Sequence, residues 1–241
     1  MKTVKWSFGT GHDFFLDNPR AMIDVLDPDF VPFSNLSKEI IFTRKNVIFL
    51  KCPAHTDFLK NTYIFKSPID INFEIDVVEQ GESRVFCENI SQEIFDHIVD
   101  LRFLTDNERG ITPYPVIGID FLNTLRCNES LSMQVFPAFM HYNDFTSKAT
   151  IIPGEFDISK WTRPVELVFE VKNKKEKFSI KKGDALSYFK FNSDDHIKLE
   201  KEKIPWEDIK ICNDLRSSNL FRPLKERYEA FKKFKDEQKN R

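Results

Sequence analysis

Along residues 69–77, IDINFEIDV, the apolar side chains Ile69, Ile71, Phe73, Ile75 and Val77 alternate with Asp70, Asn72, Glu74 and Asp76. A strict period of two predicts a strand with one face buried and the other in water. Upstream, NTYIFKSP is β-rich and closed by Pro68, and downstream EQGES reads as a turn into RVFCE. The three runs together predict an antiparallel meander. A second β-rich block at 131–191 contains LSMQVFPAFMHY, KATIIPGEFDI, PVELVFEV and FSIKKGDALSYFKF. In the last of these, KKGD places a glycine where a tight turn needs positive φ, which predicts a hairpin.

Helical periodicity is confined to two places. SQEIFDHIVDLRFL has Ser91 in position to cap a helix, Glu93 in the first turn, and Ile94, Ile98 and Leu101 on one face. RPLKERYEAFKKFKDEQK has Pro223 suited to a first helical position and an apolar stripe of Leu224, Tyr228, Phe231 and Phe234. Short strands between turn residues, with one internal helix and a C-terminal amphipathic helix, predict a mainly β fold, an antiparallel β-sandwich or jelly roll. No internal repeat or Gly/Ser linker divides the chain, so 1–241 reads as a single β-rich domain with 216–241 as a C-terminal helical extension.

Composition narrows the function classes. Hydrophobic residues are 41% and charged residues 31%, the balance of a soluble globular protein. No apolar run approaches the roughly 18 residues of a membrane span. The first residues, MKTVKWSFGTGHDFF, contain no continuous apolar stretch, so no signal peptide is expected and the cytoplasm is the expected location. A net charge of −2 makes no electrostatic case for nucleic acid, although residues 220–241 hold eight Lys or Arg against four acids. The excess of 25 Phe over 7 Gly is the bias of an AT-rich coding sequence. Cys52, Cys87, Cys127 and Cys212 form no C-x-x-C pair and read as free thiols.

Two readings compete for KCPAHTDFLKN, residues 51–61. His55-Thr56-Asp57 has the H-x-D spacing with which a strand or turn aims an imidazole and a carboxylate at one ferrous ion in jelly-roll oxygenases. His141 in FMHYND is then the distal ligand, and Lys148 a partner for a co-substrate carboxylate. The structural alternative ends the strand NVIFL at Cys52-Pro53, lets Thr56 and Asp57 satisfy backbone N–H groups in the next turn, and leaves His55 an ordinary histidine. Asp70, Glu74 and Asp76 share a strand face that either holds a hard cation or is simply solvated. The phosphate-loop, dinucleotide, nucleophile-elbow and H-E-x-x-H motifs are all absent. FSIKKGDALSYFKF and GIDF (118–121) resemble parts of the dUTPase jelly roll, but seven glycines are too few for that family's phosphate-cradling segments.

Two longer stretches carry a more specific resemblance. KCPAHTDFLKNTYIFKSPIDINFEI (51–75) and IIPGEFDISKWTRPVELVFEVKNKKEKFSIKKGDALSYFKF (151–191) contain C-P…D…K-N-T…S-P-x-D and G-x-F-D-I…W-x-R-P…I-x-x-G-D. They resemble segments of a family of proteins without assigned activity that large marine tailed phages of the cyanophage type encode. The resemblance implies a phage origin and no particular chemistry, and the family does not fix a histidine at the position of His55. Physically, Trp161 fills a large pocket, Arg163 stacks on it or pairs with Asp157, and Pro164 sets the start of VELVFEV. Asp57, Lys60, Asn61, Trp161 and Arg163 are accordingly the ligand-contacting set expected if a pocket lies there. The expectation is a non-catalytic binding or minor structural protein without a cofactor, acting on a host or phage protein in the host cytoplasm or in the virion. Exposed strand edges would permit a homo-oligomer. The alternative is a non-haem Fe2+ oxygenase using His55, Asp57 and His141.

Overall fold

The computed structural model describes residues 1–8, 29–35, 52–77, 84–102, 115–121, 123–160, 164–202, 229 and 232–233. In chain order the first strands are β1 (Lys2–Phe8), β2 (Asp29–Pro32), β3 (Thr62–Lys66), β4 (Ile71–Asp76) and β5 (Arg84–Cys87). Then come β6 (Val99–Arg102), β7 (Val116–Ile119), β8 (Asn123–Arg126), β9 (Ser132–Pro137), β10 (Ala149–Ile151) and β11 (Gly154–Asp157). The last are β12 (Leu167–Val171), β13 (Lys175–Ile180), β14 (Ala185–Phe191) and β15 (Ile197–Lys201). Among the described residues, the short helices α1 (Pro53–Phe58), α2 (Gln92–Ile98) and α3 (Asp144–Lys148) interrupt them.

The fold is mainly β, and the described strands form four sheets ordered β15-β1-β8, β10-β12-β7-β6, β11-β9-β14-β3-β2 and β13-β4-β5. Every pairing is antiparallel except that of β1 with β15, whose parallel register sets Lys2 beside Ile197 and Trp6 beside Lys201. Among the described residues, no helix is long and apolar enough to cross a membrane.

β4 has the alternation expected of it, with Ile71, Phe73 and Ile75 buried and Asn72, Glu74 and Asp76 partly open. β4 and β5 form the expected antiparallel pair, but β3 belongs to a different sheet. The predicted KKGD hairpin is also absent as such, because β13 pairs with β4 while β14 pairs with β3 and β9. Gly183 does supply positive φ, at 89°. Its turn, however, lies beside Ser67 and Pro68, where Ser67 N–H donates to Asp184 O and Gly183 N–H to Ser67 O. One antiparallel ribbon, β3–β4 against β14–β13, therefore bends from one sheet into another at this level. Pro68 has no N–H to extend the ladder, which is why the break falls there.

The acidic face of β4 holds no cation site but a ladder to β13, with Lys177 Nζ 2.9 Å from Glu74 and Lys175 Nζ 3.0 Å from Asp76. Asp70 instead accepts the Lys182 amide at 2.7 Å. α2 is shorter than its periodicity suggested: after Ile98 the chain extends, and Val99 pairs with Ile119 of β7. Partnership with a waiting strand outweighs local helical spacing there. NVIFL lies outside the described residues. So does the predicted C-terminal helix apart from Glu229, Lys232 and Lys233, which are helical and exposed.

The larger of two apolar clusters among the described residues touches all four sheets, joining Val4, Phe65, Phe73, Ile117, Leu125, Phe169 and Phe189 among others. Its centre is aromatic. Phe65 stacks on Phe189 at 5.2 Å and 6°, and Phe73 on Phe178 at 4.8 Å and 16°. Phe65 also meets Phe30 and Phe121. Replacing Phe65 by alanine is expected to cost about 3–5 kcal/mol of unfolding free energy in urea titration, because it removes a whole ring from a close-packed stack. A loss under about 1 kcal/mol would show that the stack is not where the stability lies.

Candidate functional site

The β11-β9-β14-β3-β2 sheet is covered on both faces. Alternation along β3 sends Tyr63 and Phe65 into the main core and Thr62 and Ile64 to the opposite side. There Ile64, Ala185 and Tyr188 meet Phe33, Leu59 and Ala138 in a second apolar cluster. Leu59 caps α1, a helix that Pro53 can open because a first helical position needs no N–H. Phe58, half exposed, leans on Phe136 at 5.6 Å, with the Lys190 ammonium 4.2 Å above its ring.

After α1 the chain reverses through Asn61 at φ 55°, a left-handed conformation that asparagine tolerates better than most residues. Its side chain locks the corner to the loop before β15. Asn61 Nδ2 donates to Ser193 O at 2.8 Å and Asp195 O at 2.7 Å, and Asn61 Oδ1 accepts from the Ile197 amide at 3.1 Å. Lys60 Nζ donates to Asp194 O at 2.6 Å. The Tyr63 hydroxyl donates to Ile197 O at 2.8 Å, and burial holds that phenol above its ordinary pKa and therefore protonated.

Between this corner and the second cluster opens a recess of about 370 Å³. His55, Asp57, Lys60, Asn61, Thr62 and His196 line it, with Pro32, Phe33, Leu59 and Tyr63 as its less polar wall. The structure thus brings Asp57, Lys60 and Asn61 to one cavity, while Trp161 and Arg163 lie outside the described residues. Lys60 directs its ammonium to Asp194 O and Asn61 both amide protons to Ser193 O and Asp195 O, so both side chains also tie the wall of the recess to the loop before β15. Thr62 was not legible as a site residue, yet it is the unusual one. It is 3% exposed, and its hydroxyl has no hydrogen-bond partner among the described residues.

His141 belongs to another cavity, of about 280 Å³, bordered by Phe139, Tyr142, Thr146 and Leu186. The fully buried Tyr188 hydroxyl accepts the Met140 amide at 3.3 Å and shares a 2.7 Å hydrogen bond with His141 Nδ1. Burial, helped by the Lys66 charge, holds His141 below its ordinary pKa of 6.5, and burial pushes Tyr188 far above its own. Lys148 is engaged with Asp144 at 2.8 Å and Glu176 at 3.5 Å.

The metal triad expected of His55, Asp57 and His141 is therefore not assembled. His55 and Asp57 stand on a helix, where positions two apart point away from each other, whereas the H-x-D reading assumed extended chain. Among the described residues, no three His, Cys, Asp or Glu side chains are grouped to hold a metal ion. Thr56 bonds within α1, its hydroxyl donating to Pro53 O at 3.0 Å, so the capping role expected of it in a turn is absent as well. No protein-family model matches the chain, and no curated protein matches it. The recess is accordingly read from its own geometry.

Two outcomes are expected. Thr62→Val keeps the shape and removes an unpartnered buried hydroxyl, so the unliganded protein should gain about 1 kcal/mol in urea unfolding. An equal loss would show that the hydroxyl is bonded. For His141, the depressed folded pKa means that the unfolded chain binds more protons once pH falls below 6.5. Its contribution to stability is full above that value and is lost as pH falls through the lower folded one. Unfolding midpoints measured between pH 7 and 5 should fall for the wild type and fall less for His141→Gln, and equal slopes would contradict this.

Proposed function

We propose that this is a non-catalytic binding protein built on a β-sandwich, with the recess beside α1 as its ligand site. One observation carries the reading: a partly apolar recess of about 370 Å³ opens beside α1, where the exposed Asp57 stands over Phe33 and Leu59 at a corner that Asn61 ties to the chain before β15. The cavity is of the size that small ligands occupy, roughly 300–1,000 Å³. A phage origin, as the resemblance of residues 51–75 and 151–191 implies, fits this reading and adds no chemistry to it. A host or phage component presented to this face is the corresponding biological partner.

A thermal-shift screen of small polar compounds tests it, run on the wild type and on Ser34→Trp, whose indole fills the mouth of the recess. Compounds that raise the melting temperature of the wild type and leave the variant unmoved are the expected result. Compounds that shift both proteins equally bind elsewhere, and an empty screen would remove the basis for the proposal.

A further inference from the structure

We propose that residues 139–142 are a proton-operated latch: neutral His141 fastens the segment to Tyr188, and protonated His141 lets it leave the sheet while the strands stay folded.

The attachment of this segment is concentrated on one atom. Among the described residues, two hydrogen bonds carry residues 139–142 beyond their neighbours in the chain, and both involve the Tyr188 hydroxyl. It accepts the Met140 amide at 3.3 Å and is bonded to His141 Nδ1 at 2.7 Å. The other bonds are local: Phe139 N–H donates to Pro137 O, His141 N–H to Ala138 O, and the Thr146 hydroxyl to His141 O. Packing adds little. Tyr142 is 92% exposed and Phe139 56%, the latter leaning on Phe136 and Tyr188. On either side the chain is held independently, by the pairing of Pro137 with Ser187 and by Asn143, whose side chain caps α3 and donates to Ala185 O at 2.8 Å. Release can therefore stop at these two posts, as local opening does in other folds.

The surroundings of His141 make it the sensitive member. Its half-buried ring stands edge-on to Tyr188 and borders the cavity of about 280 Å³. From β3, Lys66 adds a charge of the same sign as an imidazolium. From α3, the Asp144 carboxylate is turned to Lys148 at 2.8 Å and to the Ser179 amide at 2.7 Å. From β10 and β14 the cavity receives Thr150, Ile151 and Leu186, none of them charged. Tyr142, the other titratable side chain of the segment, lies in solvent.

An imidazolium can still donate to the Tyr188 hydroxyl. It would do so half desolvated and beside Lys66, with no carboxylate among the described residues turned to it. In water it is fully hydrated. The released ring thus binds a proton at its ordinary pKa of 6.5 and the latched ring only at lower pH. Each pH unit below 6.5 accordingly favours release by up to about tenfold, until the latched ring is itself protonated.

The test follows amide exchange by NMR in ¹⁵N-labelled full-length protein between pH 7 and 5. Protection of the Met140 amide, corrected for the intrinsic pH dependence of exchange, should fall about tenfold per pH unit below 6.5, while Phe73 and Phe189 in the main core keep theirs. His141→Gln, neutral throughout, should abolish the pH dependence. Lys66→Gln should move the midpoint of the His141 ring titration up towards 6.5. Tyr188→Phe keeps the ring, removes the anchoring oxygen and should leave Met140 unprotected already at pH 7. Protection of Met140 that stays constant while the His141 ring titrates would overturn the latch, as would its survival in Tyr188→Phe. The same pH response in His141→Gln, or loss of core protection at the same midpoint, would also overturn it, by assigning the change to another group or to global unfolding.

Discussion

Most of this molecule hangs on one antiparallel ribbon and on the place where it bends. β3 runs into β4 and β13 into β14, and the two lengths stay side by side through the bend at Ser67–Asp70 and Lys181–Asp184. Below the bend Phe73 and Phe178 are direct cross-strand partners, and above it Phe65 and Phe189 stack face to face. Bending lets the two stacks contribute to one core although they belong to different sheets. Rings of this size bury the most apolar area per residue, so a chain rich in phenylalanine and poor in glycine can close several small sheets around a common centre.

The ion pairs contribute differently. Glu74, Asp76, Lys175 and Lys177 form a ladder across β4 and β13, and Lys5 and Arg126 bracket Glu202 at the edge of the β15-β1-β8 sheet. The neighbouring lysines hold the Glu74 carboxyl below its usual range, and Lys5 with Arg126 does the same for Glu202. Lys175 and Lys177 are exposed and the other groups partly open, and pairs within reach of solvent are worth little and are screened by salt. They select register more than they stabilise, since a slip of one residue would set the acids of β4 against the wrong neighbours.

The recess is a by-product of the same ribbon. β14 is buried on both faces, which obliges something to cover the outer one, and α1 with residues 33–35 does so only in part. At the beginning of β3, Thr62 is enclosed by protein, and its hydroxyl has no partner among the described residues. Asn61 makes that corner stiff by tying it to three backbone groups before and at β15. A partly apolar recess beside a stiffened corner is the feature the functional reading depends on, and neither half of it is local.

By itself the sequence determined the local matters. The alternation in IDINFEIDV, the turn glycine at 183 and the run of β-rich segments were enough for a mainly β chain, because side-chain period and turn conformation are properties of a few adjacent residues. It pointed to Asp57, Lys60 and Asn61 as neighbours, which adjacency in the chain makes easy to see. Tertiary structure alone decided that KKGD joins two sheets, since a turn specifies a reversal and not the strand that each arm will pair with. It also decided that the H-x-D triplet lies on a helix, and that His141 is committed to Tyr188. Above all, whether a threonine hydroxyl has a partner depends on residues more than a hundred positions away as much as on its neighbours, as the ties from Asn61 to 193–197 show. Satisfaction of a buried polar group is a count over the whole fold, and no window of sequence contains that count.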